Sequence, residues 1–243
     1  MILFLRKILF VFVIFNFKSN KNLNFKNLNF RKIDFTNNQQ VKTYIFKKNF
    51  YKRKNKNIHS FDYLNFSNKL GGKLGINLSK ESIFGWYDLY KNKINFPWSE
   101  DLSSRRFINL LYNYEYINSS SSLKDRKKLN LIIFFHMQRI LYDYKTKKTI
   151  EITSFDLLAF LLCSLILKQI NIKKINFIKF LLESQIDKLG MHKSYNILEH
   201  SKFINNLNEI KNVLLFFDIK ELDIFDQLIL KTTSVLNQYF HAD

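Results

Sequence analysis

Proline occurs once and glycine five times in 243 residues. Tight turns draw on both, glycine for positive φ and proline for a preset φ. A sandwich or barrel of short strands needs a turn signal roughly every 8–12 residues. A chain this poor in both residues excludes that architecture, and equally a glycine-rich phosphate loop. What remains is a succession of long helices. The hydrophobic fraction of 47% supplies a sizeable core for them.

The apolar spacing agrees from Ser60 onward. "SFDYLNFSNKLGG" reads as a helix with Ser60 as N-cap and a stop at Gly71–Gly72. "SKESIFGWYDLYKNK" (79–93) reads as a second, short helix. "WSEDLSSRRFINLLYNYEYI" begins at a Ser99 cap and spaces Phe107, Leu110, Leu111 and Tyr114 along one face. A serine cap near Ser122 starts the next helix, with Leu129, Ile132, Ile133 and Met137 facing inward. "TSFDLLAFLLCSLILKQI" is apolar nearly all round and reads as a core helix rather than a membrane span. "KKINFIKFLLESQIDKLG" is amphipathic and ends at Gly190, and two further long helices follow it. The spacing thus predicts an all-α array of about seven helices over 59–243, joined by short connections and without a fixed repeat length.

The beginning of the chain differs. Residues 1–17, "MILFLRKILFVFVIFNF", are basic and then apolar, with no small-x-small cleavage site after them. They read as an apolar segment, either a signal or a membrane-surface anchor. Residues 18–58 read as a basic irregular arm with short strands. Its run "KKNFYKRKNKN" (47–57) reads as a solvated loop.

Cys163 is the single cysteine and lies in an apolar run. It reads as a small buried hydrophobe, and neither an intrachain disulfide nor a thiolate zinc site can form. The sequence contains no HExxH or HxxxH pair, so no metal or other cofactor is expected. The formal net charge is +19, which favours an anionic partner: acidic polysaccharide, nucleic acid or membrane lipid. Lysine and asparagine abound throughout, as an AT-rich genome would also produce.

Two places carry candidate chemistry. The first is "SQIDKLGMHKSYN" (184–196), where His192, Ser194, Tyr195 and Asn196 crowd the end of a helix. Imidazole or phenolate can take a carbon-bound proton, and an asparagine or protonated histidine can neutralise a carboxylate. A histidine at a helix end also serves to bond carbonyls or pack on an aromatic ring. The second is Arg105–Arg106 after Trp98, a pair able to clamp a carboxylate or sulfate in bidentate fashion, or to form a structural ion pair. Trp86, Trp98 and Tyr112 could stack on sugar rings or fill the core. His136 and His200 fall within helices and read as core or surface residues.

Four stretches in order resemble the N-terminal helical region of heparinase II/III-like polysaccharide lyases. They are "HSFDYL" (59–64), "PWSEDLSSRRFINLL" (97–111), the 184–196 segment through Gln185, Ile186, Gly190, His192, Ser194 and Asn196, and "NQYFHAD" (237–243) with His241 and Asp243. Together they span about three quarters of the chain. The pattern departs at Leu189, Met191, Tyr195 and Ile197, where the family carries an acid, a second glycine, an arginine and a proline.

The resemblance implies an incomplete (α/α) toroid, and β-elimination on a uronic acid. His192, Tyr195 and Asn196 would be the catalytic positions. Gln185, Arg105, Arg106, Trp98 and His241 would hold the acidic polysaccharide. The family continues into a β-sandwich that this sequence lacks. The expectation is therefore a helical domain inactive alone, complemented by a separately encoded sandwich half and lying in the periplasm or on a membrane, with the cytoplasm as the alternative. The competing expectation is a basic helical protein that binds nucleic acid or an anionic membrane surface, although no nucleic-acid motif occurs.

Overall fold

The computed structural model describes residues 50–53, 55–93, 96–98, 101–219 and 223–240, the side chains of Ile224 and Phe240 excepted. The apolar segment 1–17, the expected cap Ser99, His241 and most of the basic arm lie outside the described residues. Among the described residues 78% are helical and none forms a strand, so the chain is all-α. It divides into two compact units, one up to Lys145 and one from Thr146 onward.

The first unit opens with a 3₁₀ turn at Phe50–Lys52 and the short helix α1 (Lys56–His59), so the described end of the arm is helical, not extended. Phe50 and Tyr51 are buried, which turns part of the expected solvated loop inward. The Asn55 side chain caps α1 by accepting from the Asn57 N–H. Ser60 is not an N-cap: it closes α1, its hydroxyl donating to the Asn57 carbonyl. The reason is Phe61, whose φ of 64° breaks the helix before α2 (Tyr63–Leu70) begins.

Gly71 and Gly72 both have positive φ, and α3 (Gly72–Tyr90) starts directly there. The glycine pair therefore joins two helices with almost no loop, and α3 is longer than the expected 79–93 segment. Gly75 and Gly85 in α3 admit close neighbours: a Cβ at Gly75 would meet the Ser67 carbonyl at 2.3 Å. A 3₁₀ turn, Phe96–Trp98, leads to α4 (Leu102–Tyr112), α5 (Tyr114–Asn118) and α6 (Leu123–Thr146). The Ser122 hydroxyl accepts from the Asp125 N–H at the start of α6, as its sequence position predicts. α2 packs on α3 and α4, and α5 packs on α3.

Asparagines join α2 to α4. Asn113 Nδ2 donates to Asn65 Oδ1 (3.0 Å), and Asn68 Nδ2 donates to Asn113 Oδ1 (2.9 Å). Asn109 Nδ2 donates to the Ser60 carbonyl and to Asp62 Oδ1, both at 2.9 Å. Paired amides satisfy one another in an interior where a single one would cost about 1–3 kcal/mol.

The second unit holds α7 (Ser154–Ile166), α8 (Ile172–Glu183), α9 (Ile197–Phe216) and α10 (Asp223–Phe240). α7 is buried almost throughout, Cys163 included, as its unbroken apolar run predicts. A capping box starts it: Thr153 Oγ1 accepts from the Asp156 N–H, and Asp156 accepts from the Thr153 N–H. α9 packs on α7 and α10. α8 ends at Glu183, well before Gly190, and the intervening residues form a closed loop. Among the described residues no helix is long and apolar enough to cross a membrane.

Candidate functional site

The loop that follows α8 is built from the backbone outward. Ile186 and His192 form an isolated antiparallel bridge, and the Lys193 N–H donates to the Gln185 carbonyl at 2.9 Å. Inside the loop Asp187 Oδ1 accepts from the N–H groups of Leu189, Gly190 and Met191, each at 2.9 Å. Its carboxylate is thus committed to the backbone. Gly190 sits at φ 102°, and a Cβ there would meet the Lys231 backbone at 3.0 Å. Only glycine fits both the dihedral and the gap against α10.

His192 leaves this loop half-buried, its ring 5.4 Å from that of Phe203. The Ser194 N–H donates to its Nδ1 at 3.2 Å, with Ser194 Oγ 2.8 Å away. The Asn196 N–H in turn donates to Ser194 Oγ at 3.3 Å. A backbone N–H can only donate, so Nδ1 accepts and the proton of the neutral ring resides on Nε2. Nε2 has no partner among the described residues. Burial holds the pKa of His192 below the ordinary value, against the opposing pull of Glu199. His192 therefore presents a neutral N–H donor.

Its neighbours serve structure. Asn196 caps α9, its Oδ1 accepting from the N–H groups of Leu198 and Glu199. Gln185 Nε2 donates to the Leu181 carbonyl at 3.3 Å. Tyr195 is 71% exposed at φ 51°, a left-handed position at the turn closed by its N–H and the His192 carbonyl. His200 is buried in α9, accepting the His192 N–H on Nδ1 and donating from Nε2 to the Thr232 carbonyl at 2.9 Å. It pins the loop to α10. Sequence reasoning gave His200 no role beyond core or surface. Its spacing of eight from His192 was the one available sign.

Lys188, Lys193 and Lys231 are exposed around the loop, and none has a carboxylate partner among the described residues. Lys231 lies against Gly190. Lys188 and Lys193 thus belong to the loop and Lys231 abuts it, while two acids of the segment are engaged: Asp187 with the backbone, and Glu199 with Lys202 at 2.7 Å.

In the first unit Arg106 and Trp98 are interior residues, although the resemblance gives them to substrate. Arg106 is 0% exposed. Its guanidinium lies 4.0 Å from the Trp86 ring centroid and 4.7 Å from that of Trp98. Nε donates to His136 Nε2 at 2.7 Å, and Nη1 donates to the carbonyls of His59 and Pro97. Nη2 is left without a bond. Trp98 Nε1 donates to the Tyr90 carbonyl at 2.8 Å. Burial and the Arg106 charge lower the pKa of His59 to about 4 and hold His136 well below the ordinary value. Arg105 lies nearer the surface, 3.8 Å from Asp62. Among the described residues no cluster of histidine, cysteine and acids could hold a metal ion.

The fold and this loop define an all-α protein whose second unit displays a histidine donor among exposed lysines. Comparison of the chain with protein-family models, curated proteins and solved structures gives no match.

Proposed function

We propose that the chain is a helical domain of the heparinase II/III-like kind, an incomplete toroid that binds acidic polysaccharide at the 185–196 loop. The observation that carries this reading is the Nε2–H of His192, its ring fixed by Ser194, on a loop that bears the exposed Lys188 and Lys193 and abuts Lys231. A uronate carboxylate matches that set: the imidazole N–H donates to one oxygen and the lysines supply the opposing charge. Of the residues that the family resemblance gives to substrate or catalysis, Gln185, His192, Tyr195 and Asn196 belong to this loop, whereas Arg105, Arg106 and Trp98 belong to the first unit and His241 lies outside the described residues.

In β-elimination the C5–H bond breaks, its electrons form the C4–C5 double bond, and the C4 oxygen leaves with a proton. Hydrogen bonding to the carboxylate acidifies C5–H. His192 suits that role, not proton abstraction, because its lone pair at Nδ1 is engaged by the Ser194 N–H. Tyr195 offers a phenol without a held position. The loop thus binds and polarises, and the base belongs to the sandwich half of the family, so the helical domain alone does not turn substrate over.

The test is titration calorimetry of the full chain with alginate and heparan sulfate, beside an ultraviolet assay for unsaturated uronate. His192→Ala should abolish binding, and the wild type should bind without turnover. Absence of binding to any acidic glycan would remove the reading. Turnover by the chain alone would remove its inactive-alone clause.

A further inference from the structure

His200 is wholly buried, and both of its ring nitrogens are bonded to backbone. Nδ1 accepts the His192 N–H of the loop at 3.1 Å, and Nε2 donates to the Thr232 carbonyl of α10 at 2.9 Å. The two bonds need one form of the ring, neutral with its proton on Nε2. A second proton has no acceptor. At Nδ1 it would face the His192 N–H, donor against donor, and the buried cation would meet no anion. His192 differs: a proton at its Nδ1 finds Ser194 Oγ 2.8 Å away.

The charges of the elements packed around His200 offer it no such relief. The loop brings His192 with the exposed Lys188 and Lys193, and Asp187, whose Oδ1 is committed to three backbone N–H groups. α10 brings Lys231 beside Thr232, with Asp223 and Asp226 in its first turn and Asp226 paired with Lys211. On α9 itself Glu199 is tied to Lys202, and Glu209 lies farther along. α7, packed on α9, carries Asp156, which Lys147 holds. Among the described residues no carboxylate pairs with the His200 ring.

We propose that His200 is an acid-sensitive latch: the neutral ring ties the 185–192 loop to α10, and protonation of the ring lets the loop go. The Ile186–His192 bridge and the Asp187 turn are internal to the loop, so it comes away as one piece, with buried Ile186 and Met191 as its remaining hold. An imidazole released into water takes a proton at about pH 6.5. Acid therefore favours the released loop, and the latch is shut above that pH and opens below it. The latch governs the same loop that the polysaccharide reading uses, but it is read on backbone amides and stands if no glycan binds.

The experiment is amide hydrogen exchange of the full chain, followed by nuclear magnetic resonance at about pH 7.5 and about pH 5 and corrected for intrinsic rates. Protection of the His192 N–H should fall about tenfold on acidification, as one lost hydrogen bond implies, while that of Leu207 in the buried middle of α9 holds. H200N keeps an acceptor at Oδ1 without a titrating group and should show no fall. H192Q keeps the backbone N–H and should show the wild-type fall. In the wild type the fall should share its midpoint with the ring nitrogens of His200, a measurement that decides the matter even where H200N does not fold. Constant protection in the wild type, an equal fall in H200N, loss of the fall in H192Q, or a midpoint apart from that of the His200 ring would each overturn the proposal. An equal loss at Leu207 would assign the change to unfolding of the second unit and overturn it too.

Discussion

Arg106 donates its Nε–H to His136 Nε2 across 2.7 Å, in an interior where neither residue meets solvent. The bond fixes the tautomer: His136 keeps its proton on Nδ1, which donates to the Ile132 carbonyl at 2.8 Å. Among the described residues no carboxylate is bonded to the cation. Two indole faces, two carbonyls and an imidazole take that place.

Removing this cation strands its acceptors. Arg106→Met should destabilise the first unit by about 3 kcal/mol or more, because the carbonyls of His59 and Pro97 and the Nε2 of His136 lose their donor. Arg106→Lys should rescue only part, since a point charge cannot span the same three acceptors. Chemical denaturation followed by the fluorescence of Trp86 and Trp98 measures both.

Acid should open the same unit. His59 Nδ1 accepts from Trp86 Nε1 at 2.9 Å, and His136 Nε2 accepts from Arg106, so neither nitrogen can take a proton without losing its bond. Both folded pKa values lie below the unfolded value of about 6.5, that of His59 at about 4. The unfolded state therefore binds more protons between these limits. Stability is complete above about pH 6.5 and is lost as pH falls toward 4. Among the described residues Arg106, Arg139, Tyr63 and Tyr90 are titratable or charged groups that face this cluster. His136→Gln keeps an acceptor without a titrating group, so its melting temperature should fall less steeply over that range. An identical slope in variant and wild type would dismiss His136 as a cause and leave the acid sensitivity to His59.

Much of the fold was legible in the sequence. The scarcity of proline and glycine, the Ser122 cap and the unbroken apolar run of α7 correspond to the structure directly. What escaped is nonlocal. Gly190 looked like a helix stop, but α8 ends earlier because the Ile186–His192 bridge and the Asp187 turn draw the chain into a loop. Arg106 looked available to a ligand, although Arg106, Asn109 and Asn113 lie on one helical stripe, a polar stripe that the structure turns inward. Spacing showed the stripe, and the partners that satisfy it come from α1, α2 and α6.

Asn196 should act on stability rather than on chemistry. Its Oδ1 satisfies two N–H groups at the start of α9. Asn196→Ala should cost about 1 kcal/mol of the second unit's stability, while Asn196→Asp or Asn196→Ser should restore most of it. If Asn196→Asp fails to restore the melting temperature, the cap is not the reason for the loss.

Gly190 offers the sharpest separation of the loop from the helices beneath it. Any Cβ there meets the backbone carbonyl of Lys231 at 3.0 Å and its Cγ at 2.9 Å, and φ 102° is strained for an L side chain. Lys231 belongs to α10, whose Thr232 carbonyl holds His200, which in turn receives the His192 N–H. A shift of the loop away from α10 therefore breaks the contact that orients His192. Gly190→Ala should cost about 1–3 kcal/mol of stability and weaken acidic-glycan binding more than Asn196→Ala does, although both variants leave the His192 side chain in place. Chemical-shift titration of the two His192 ring nitrogens checks the cause. In the wild type Nδ1 should remain the unprotonated acceptor, with the pKa below 6.5, whereas in Gly190→Ala the ring should titrate near the ordinary value as its burial is lost. An unchanged titration together with lost binding would place the defect in Lys231 instead.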